Sequence, residues 1–213
     1  MPKVKVGGFG VSLDGFSAGI DQSLEHPLGL RGDEVFQWFF LTRTFRQMVG
    51  QDDGDTGPDD SFARRSTEGF GAFILGRNMF GPVRGEWPDD QWNGWWGDNP
   101  PYHAPTFVLT HYPRPPIEMQ GGTTFHFVTE GIEDALRRAR EAAREKDVKI
   151  GGGVATVKQY VAAGHVDEIH LAVAPVVLGE GESFYSGVDL RALGYRTVEH
   201  VATDRATHVV LSK

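Results

Sequence analysis

The order of the elements along the chain predicts an α/β fold with a mostly parallel central sheet and an antiparallel C-terminal edge. Strand-like and helix-like segments alternate through most of the 213 residues, which is typical of parallel strands joined by helices. The last two segments, 195–201 and 206–211, are both strand-like, and we expect them to pair. We find neither an internal repeat nor a linker, so we interpret residues 1–213 as a single domain.

The first part of the chain predicts two strands and two helices. Residues 4–11 are apolar and contain three glycines, which indicates a strand that a ligand or another backbone approaches closely. The aromatic spacing over 33–49 suits a helix, and a second helix is predicted over 60–67 with Asp59 or Asp60 as its cap. An acidic, glycine-rich surface loop is predicted over 51–60, and a short apolar strand at 72–75.

The second part alternates more regularly. Strands are predicted at 106–110 and 125–128, followed by a helix at 132–146 whose acids come early and whose bases come late, as the helix dipole favours. A strand at 148–150, a helix at 154–163 and a long strand at 168–177 come next. Residues 85–105 contain four of the five tryptophans, and we interpret them as a loop packed by its own aromatic rings.

The composition argues against several classes of function. The net charge of −8 argues against nucleic-acid binding through a general basic surface, so a phosphate-bearing ligand needs a local pocket. No apolar run is long enough to span a bilayer and the N-terminus lacks the layout of a secretory signal, so we expect a cytoplasmic protein that does not bind membranes. The chain has no cysteine, and its eight histidines form no metal-binding motif, so we expect no metal.

Three predicted strands end in residues suited to phosphate contacts. The triple glycine 151–153 precedes a helix whose backbone amides could hold a pyrophosphate, although a simple strand-to-helix turn explains it equally well. Arg77, which follows Gly76, could bind a phosphate through two guanidinium nitrogens or form a surface salt bridge. Thr110 and His111 could contact a phosphate or cap a turn. Ligands of open α/β sheets bind outside the carboxyl ends of the strands, which favours phosphate binding at all three.

Asp14 is the acid of the glycine-rich loop that follows the first strand. A carboxylate there could orient a polar substrate or relay a proton, whereas the alternative is a turn residue favoured before glycine. Ser12 and Ser17 lack the surroundings of a nucleophile elbow, so hydrolase chemistry has little support.

Five short motifs occur in one order along nearly the whole chain. They are SLDG at 12–15, FILGRNMF at 73–80, FVLTH at 107–111, IGGGVAT at 150–156 and PVVLGEGESF at 175–184. With these motifs the chain resembles the dihydrofolate-reductase-like proteins related to the C-terminal reductase domain of the riboflavin-pathway deaminase-reductase. The resemblance implies a three-layer fold with helices on both faces of a twisted sheet, NADPH as hydride donor, and a homodimer.

The resemblance also implies roles for particular residues. Gly76, Arg77, Asn78 and Met79 match a turn that contacts the cofactor phosphates, and Thr110 and His111 match a strand end near the adenosine 2′-phosphate. A glycine turn over the pyrophosphate is matched by Gly151, Gly152, Gly153, Val154, Ala155 and Thr156, with Thr156 reaching toward the nicotinamide. The loop that covers the nicotinamide is matched by residues 12–16, including Asp14 as the candidate catalytic group together with Gly15 and Phe16.

These residues lead to one main hypothesis and several alternatives. The main hypothesis is an NADPH-dependent reductase of a small polar, heterocyclic or carbonyl substrate, with reduction of 5-amino-6-(5-phosphoribosylamino)uracil as the closest named activity. Dihydrofolate reduction ranks below it, because Asp33 and Glu34 lie near the first helix without the family's usual aromatic-containing entry. The alternatives from other classes are a nucleotide-binding protein without catalysis and a flavin-using reductase.

Overall fold

Within residues 2–81, 85–87 and 91–213, which the computed structural model describes, the chain forms nine β-strands and six α-helices. The strands are β1 (Val4–Val11), β2 (Phe70–Gly76), β3 (Pro105–Leu109), β4 (Ile117–Glu118), β5 (Thr124–Val128), β6 (Asp147–Gly152), β7 (Glu168–Val173), β8 (Arg196–Ala202) and β9 (Thr207–Ser212). The helices are α1 (Gln37–Phe40), α2 (Arg43–Met48), α3 (Pro58–Thr67), α4 (Arg77–Phe80), α5 (Ile132–Ala143) and α6 (Val154–Ala162).

The strands belong to a single, mostly parallel sheet with antiparallel strands at its edges, which confirms the predicted α/β fold class. β8 and β9 form the predicted antiparallel C-terminal edge. The two-residue strand β4, which the sequence analysis missed, adds an antiparallel edge beside β5. Among the described residues, no helix is both long and apolar enough to cross a membrane.

Contacts between residues divide the chain into two compact units, each built from separate parts of the sequence. The first unit comprises Met1–Lys5 and Gly69–His165, and the second comprises Val6–Glu68 and Val166–Lys213. The sequence analysis treats residues 1–213 as one domain, and that interpretation stays a prediction.

In the first unit, parallel pairing joins β5 to β3, β3 to β2 and β2 to β6. Helix α5 packs on these strands through the buried side chains of Leu136 and Ala139, while the guanidinium of Arg138 lies 5.4 Å from the ring centre of Phe107. A second cluster of buried and half-buried side chains surrounds Phe80 and includes several rings of the tryptophan-rich loop. The predicted aromatic packing of that loop is confirmed for its described part, while residues 88–90 lie outside the described residues.

In the second unit, β9 pairs with β7 on one side and with β8 on the other. The core beside them contains Trp38 and the α3 residue Phe62, both almost fully buried. Phe62 stacks on the rings of His170 and His208, which lie on β7 and β9. A buried polar pair therefore sits inside an aromatic core.

The region 33–49 is not the continuous helix that the sequence predicts. It forms a 3-10 helix (Gly32–Phe36), α1 and α2. The break occurs because Thr42 takes an extended conformation and its side chain accepts a hydrogen bond from the backbone N–H of Phe45, which starts a new helix. Aromatic spacing alone does not reveal such an internal cap.

The predicted cap of the next helix is also wrong. Helix α3 begins at Pro58 with Gly57 as its N-cap, two residues before the predicted start at residue 60. Proline at the first helical position needs no N–H partner, which fixes the start there. Both predicted caps have distant partners instead: Asp59 is hydrogen-bonded to His208 and Thr203, and Asp60 accepts from Thr44.

Candidate functional site

Within the first unit, the three predicted phosphate-binding segments follow neighbouring strand ends. Gly76, the last residue of β2, is in register with Leu109 of β3, and Leu75 is in register with Gly152 of β6. Parallel strands carry their carboxyl ends to the same edge of a sheet, so the turns that follow β2, β3 and β6 lie side by side. The predicted convergence of these segments is therefore present within this unit.

The start of α6 approaches the end of β2 so closely that a side chain at position 76 would force neighbouring atoms to shift. A Cβ atom built on Gly76 would lie 2.5 Å from Oγ1 of Thr156 and 3.2 Å from the backbone nitrogen of Gly153. The Thr156 side chain is buried at this contact. Gly76 therefore acts through close backbone packing, which places the first turn of α6 against the start of α4.

The glycine segment is partly strand and partly helix cap. Gly151 and Gly152 are the last residues of β6, longer than the predicted 148–150, and Gly153 is the N-cap of α6. Gly152 has a φ of 125°, a conformation that other residues rarely adopt, and its peptide bond to Gly153 is cis. A Cβ built on Gly153 meets no atom within 4 Å, so this side of the turn is open.

The first turn of α6 lacks the acidic residues that usually offset the positive end of a helix dipole. Gly153 provides no side-chain cap, and the first turn, which contains Val154 and the exposed Ala155, has no acidic residue. Helix α5 in the same unit carries Glu133 and Asp134 in its first turn. Free backbone N–H groups and an uncompensated positive helix end suit an anion, which supports the predicted pyrophosphate position.

Arg77 directly follows Gly76, and two nitrogens of its guanidinium group lack hydrogen-bond partners among the described residues. Its Nε and Nη2 atoms are buried, and neither has a partner within the described part of the chain. Burial and the neighbouring charge of Arg114 lower the pKa of Arg77 to about 10. At neutral pH the guanidinium stays protonated, and an anionic ligand would supply hydrogen-bond acceptors for its two buried nitrogens.

Asn78 and Met79 lie within the short helix α4. The backbone oxygen of Asn78 lies 3.5 Å from the indole nitrogen of Trp95, and Met79 packs against the aromatic cluster around Phe80. A Cβ built on Gly152 would lie 3.3 Å from the Met79 sulfur, so Met79 borders the glycine turn. Their predicted contact with cofactor phosphates stays a prediction.

Thr110 and His111 follow β3, where the sequence analysis places them. Thr110 is buried, and its Oγ1 accepts a hydrogen bond from the backbone N–H of Tyr112 at 3.2 Å, as in the turn-capping alternative. His111 is exposed. The proposed phosphate contact of both residues stays a prediction, and the geometry makes His111 the more accessible of the two.

Two residues of this region were missed by sequence reasoning. The guanidinium carbon of Arg77 lies 3.2 Å from the ring centre of Trp87, and that of Arg114 lies 4.9 Å from the same ring. Arg114 is buried and donates a hydrogen bond to the backbone oxygen of Trp92 at 2.7 Å. No sequence motif links Arg77 to Trp87 and Arg114. Arg114 could have been noticed, because it is a positive residue shortly after a predicted strand in a chain of negative net charge.

In the second unit, the carboxylate of Asp14 accepts hydrogen bonds that stabilise its own loop. Oδ1 accepts hydrogen bonds from Oγ of Ser12 at 2.6 Å and from the backbone N–H of Leu178 at 3.1 Å, and Oδ2 accepts from the N–H of Gly179 at 2.7 Å. The Ser12 hydroxyl and these backbone donors lower the pKa of Asp14, so it is a carboxylate at neutral pH. These contacts match the turn alternative, and the catalytic role stays a prediction.

Gly15 and Phe16 connect the same loop to the chain around residue 184. The Gly15 oxygen accepts a hydrogen bond from the N–H of Phe184, and Phe16 forms an isolated antiparallel bridge with Ser183. Gly15 has a φ of 87°, and a Cβ on it would collide with the ring of Tyr185. The loop 12–16 is therefore paired along its length, and its predicted position over the nicotinamide stays a prediction.

The model of a family described as the RibD C-terminal domain matches residues 6–209. No curated protein matches the chain.

Several solved structures share the fold. A protein from Shewanella sp. PV-4 assigned to riboflavin biosynthesis has 18% identity and a TM-score of 0.57 over 98% of this chain and 96% of its own. A diaminohydroxyphosphoribosylaminopyrimidine deaminase/5-amino-6-(5-phosphoribosylamino)uracil reductase from Thermotoga maritima has 14% identity and a TM-score of 0.56, over 99% of this chain and 56% of its own. RibD from Acinetobacter baumannii has 15% identity and a TM-score of 0.52, over 100% of this chain and 58% of its own. This chain thus spans little more than half of the latter two, and at these identities the similarity is one of fold.

Proposed function

The chain belongs to the RibD C-terminal domain family, and from this premise we propose that it is an NADPH-dependent reductase. The observation that carries the proposal is the arrangement at the strand ends of the first unit. There, the open glycine turn, the N-terminus of α6 without an acidic first turn, and Arg77 with two unpartnered nitrogens among the described residues follow neighbouring strands. Each of these features suits an anion, and a dinucleotide supplies several anionic groups on one ligand.

The described residues fit such a cofactor. Backbone N–H groups of Val154, Ala155 and Thr156 would hold the pyrophosphate, and Arg77 would bind a phosphate through its guanidinium. Gly153 lets the ligand approach because no side chain fills the space beside it. The bound nicotinamide would supply the hydride.

The protein's own contribution to the reaction is mainly to position ligands. A fixed helix end and a stacked arginine hold an anion without reorganising, which lowers the entropic cost of bringing donor and acceptor together. Asp14, held as a carboxylate by three donors, would orient a polar substrate by accepting hydrogen bonds rather than by donating a proton.

We propose a small, polar, heterocyclic substrate, with 5-amino-6-(5-phosphoribosylamino)uracil as the first candidate. The support is the family, together with the reductase activity in the name of the Thermotoga maritima protein, which shares the fold. Dihydrofolate is the second candidate. A homodimer in the cytoplasm is part of the same proposal and rests on the family alone.

The test is oxidation of NADPH by the purified protein with each candidate acceptor, followed by absorbance. Turnover with the uracil derivative and little with dihydrofolate is the expected result. NADPH that binds tightly but is not oxidised with any acceptor of a broad panel would instead support a nucleotide-binding protein without catalysis. A yellow purified protein would point to flavin.

A further inference from the structure

The indole ring of Trp87 forms a platform for the guanidinium of Arg77. The guanidinium carbon lies 3.2 Å from the ring centre, well within the range of a cation–π contact. Arginine side chains otherwise lose considerable rotamer freedom when they bind an anion. A guanidinium already stacked on a ring has lost much of that freedom before the ligand arrives.

Trp87 is itself fixed by contacts on several sides. Its indole N–H donates a hydrogen bond to the backbone oxygen of Tyr112 at 3.0 Å. Its ring makes edge contacts with Phe80 and Phe127, whose centres lie 5.8 Å and 5.1 Å away. Since Tyr112 comes directly after Thr110 and His111, Trp87 joins the turn after β3 to the arginine after β2.

The charges around the platform favour an anion beside Arg77. Arg114 lies over the same ring, and the burial of Arg77 together with the positive charge of Arg114 lowers the pKa of Arg77. The Nε and Nη2 atoms of Arg77 are buried and have no hydrogen-bond partner among the described residues. Bringing two like charges together near an apolar ring costs free energy that a bound phosphate would offset.

We propose that Trp87 is a positioning residue for phosphate binding, because its ring holds the Arg77 guanidinium in the orientation that receives a phosphate group of the dinucleotide. This inference rests on the proposed function and assigns a role in it to the tryptophan-rich loop. Trp87 acts through Arg77 and does not itself bind the phosphate. Removing the ring therefore matters only while Arg77 is present.

A double-mutant cycle tests this dependence. The variants are Arg77→Met, Trp87→Leu and the double variant, and the measurement is NADPH affinity by calorimetry, because removing a tryptophan alters the fluorescence signal. Each single variant should weaken NADPH binding about tenfold, the cost of one charge-assisted hydrogen bond. The double variant should bind within about twofold of Arg77→Met alone, since the two residues act as one unit.

Two further variants separate positioning from folding. Trp87→Phe keeps an aromatic face and should retain NADPH affinity within about threefold of the wild type, even if the protein is less stable. Trp95→Leu removes another ring of the same loop, which packs on Trp92 and, among the described residues, does not stack on the Arg77 guanidinium. It should leave NADPH affinity unchanged.

The outcomes that overturn the inference are distinct from failure of the proposed function. Effects of Arg77→Met and Trp87→Leu that multiply in the double variant would mean that Trp87 acts independently of Arg77. An equal loss in Trp87→Phe, or in Trp95→Leu, would mean that general packing of the loop is responsible. Wild-type protein that binds neither NADPH nor NADH would overturn the proposed function, and the inference with it.

Discussion

At the scale of single residues, the site depends on the absence of a side chain at Gly76. A Cβ there would overlap Oγ1 of Thr156, which is buried and cannot move away freely. Because closely packed backbone tolerates little extra volume, this one position links the stability of the first unit to the geometry of its candidate site.

Gly76→Ala is therefore expected to destabilise the protein by about 1–3 kcal/mol, the usual cost of overpacking. Thr156→Ala removes the atom nearest the added methyl group. The double variant should then be more stable than the sum of the single effects predicts. Urea unfolding of the four proteins measures this, and strictly additive losses would contradict the described contact.

Asp14→Asn separates the two roles of the carboxylate. An amide cannot reproduce all three accepted hydrogen bonds, so the loop should loosen and turnover should fall if Asp14 orients the substrate. The lowered pKa means that stability due to Asp14 is complete above pH 3.8 and is lost as the pH falls through the lower folded-state value. Below pH 3.8, the free energy of unfolding of the wild type should therefore fall more steeply than that of Asp14→Asn. If turnover is unchanged in Asp14→Asn, Asp14 has no role in the reaction.

At the scale of elements, the N-terminus of α6 offers a test in which stability and binding move in opposite directions. Glutamate at the exposed position Ala155 would place a negative charge in the first turn and stabilise the helix by about 0.3–1 kcal/mol. The same charge would repel a phosphate and weaken NADPH binding by about tenfold or more. Ala155→Gln, of equal size and neutral, is the control. Unchanged NADPH affinity in Ala155→Glu would mean that no anion binds at this helix end.

The elements of the second unit meet at a buried hydrogen-bond chain. The backbone N–H of Gly8 donates to Nδ1 of His170, whose Nε2 lies 3.0 Å from Nδ1 of His208, and Nε2 of His208 lies 2.8 Å from Oδ1 of Asp59. His170 accepts at Nδ1, so its neutral form carries the proton on Nε2 and donates to His208. His208 in turn donates to Asp59, and the chain ties β1, β7, β9 and α3 together.

This chain predicts a loss of stability in mild acid. Burial lowers the pKa of His208 from 6.5 against the opposing effect of Asp59. The unfolded chain therefore takes up the proton first, and stability that is complete above pH 6.5 is lost as the pH falls through the lower folded-state value. The thermal midpoint of the wild type should drop in this range, and His208→Gln, less stable at neutral pH, should show a flatter profile. A parallel decline in both proteins would place the acid sensitivity elsewhere.

At the scale of the whole molecule, the fold class was predictable because local patterns carry it. The apolar, glycine-dotted run of β1 begins and ends as predicted, and the acid-to-base gradient of α5 marks that helix correctly, except that it ends at Ala143. The break at Thr42 and the partners of Asp59 were not predictable, because they depend on contacts between distant segments. The contacts of Trp87 with Arg77 and Arg114 were not predictable for the same reason.

The net charge of −8 is a property of the whole molecule that affects how it can bind an anionic cofactor. A negatively charged protein does not attract a dinucleotide by its overall field, so the phosphates need local positive groups. The uncompensated end of α6 and the stacked Arg77 are such groups, and both lie within one unit.

The most direct test of the reductase proposal is a titration of the wild-type protein with NADPH and, in parallel, with NADH, followed by quenching of tryptophan fluorescence and by calorimetry. Saturable binding with a strong preference for NADPH is the predicted result, since a phosphomonoester gives Arg77 and His111 an additional anionic partner. Absence of binding for both nucleotides would contradict the account, leaving the family and the fold without the proposed activity.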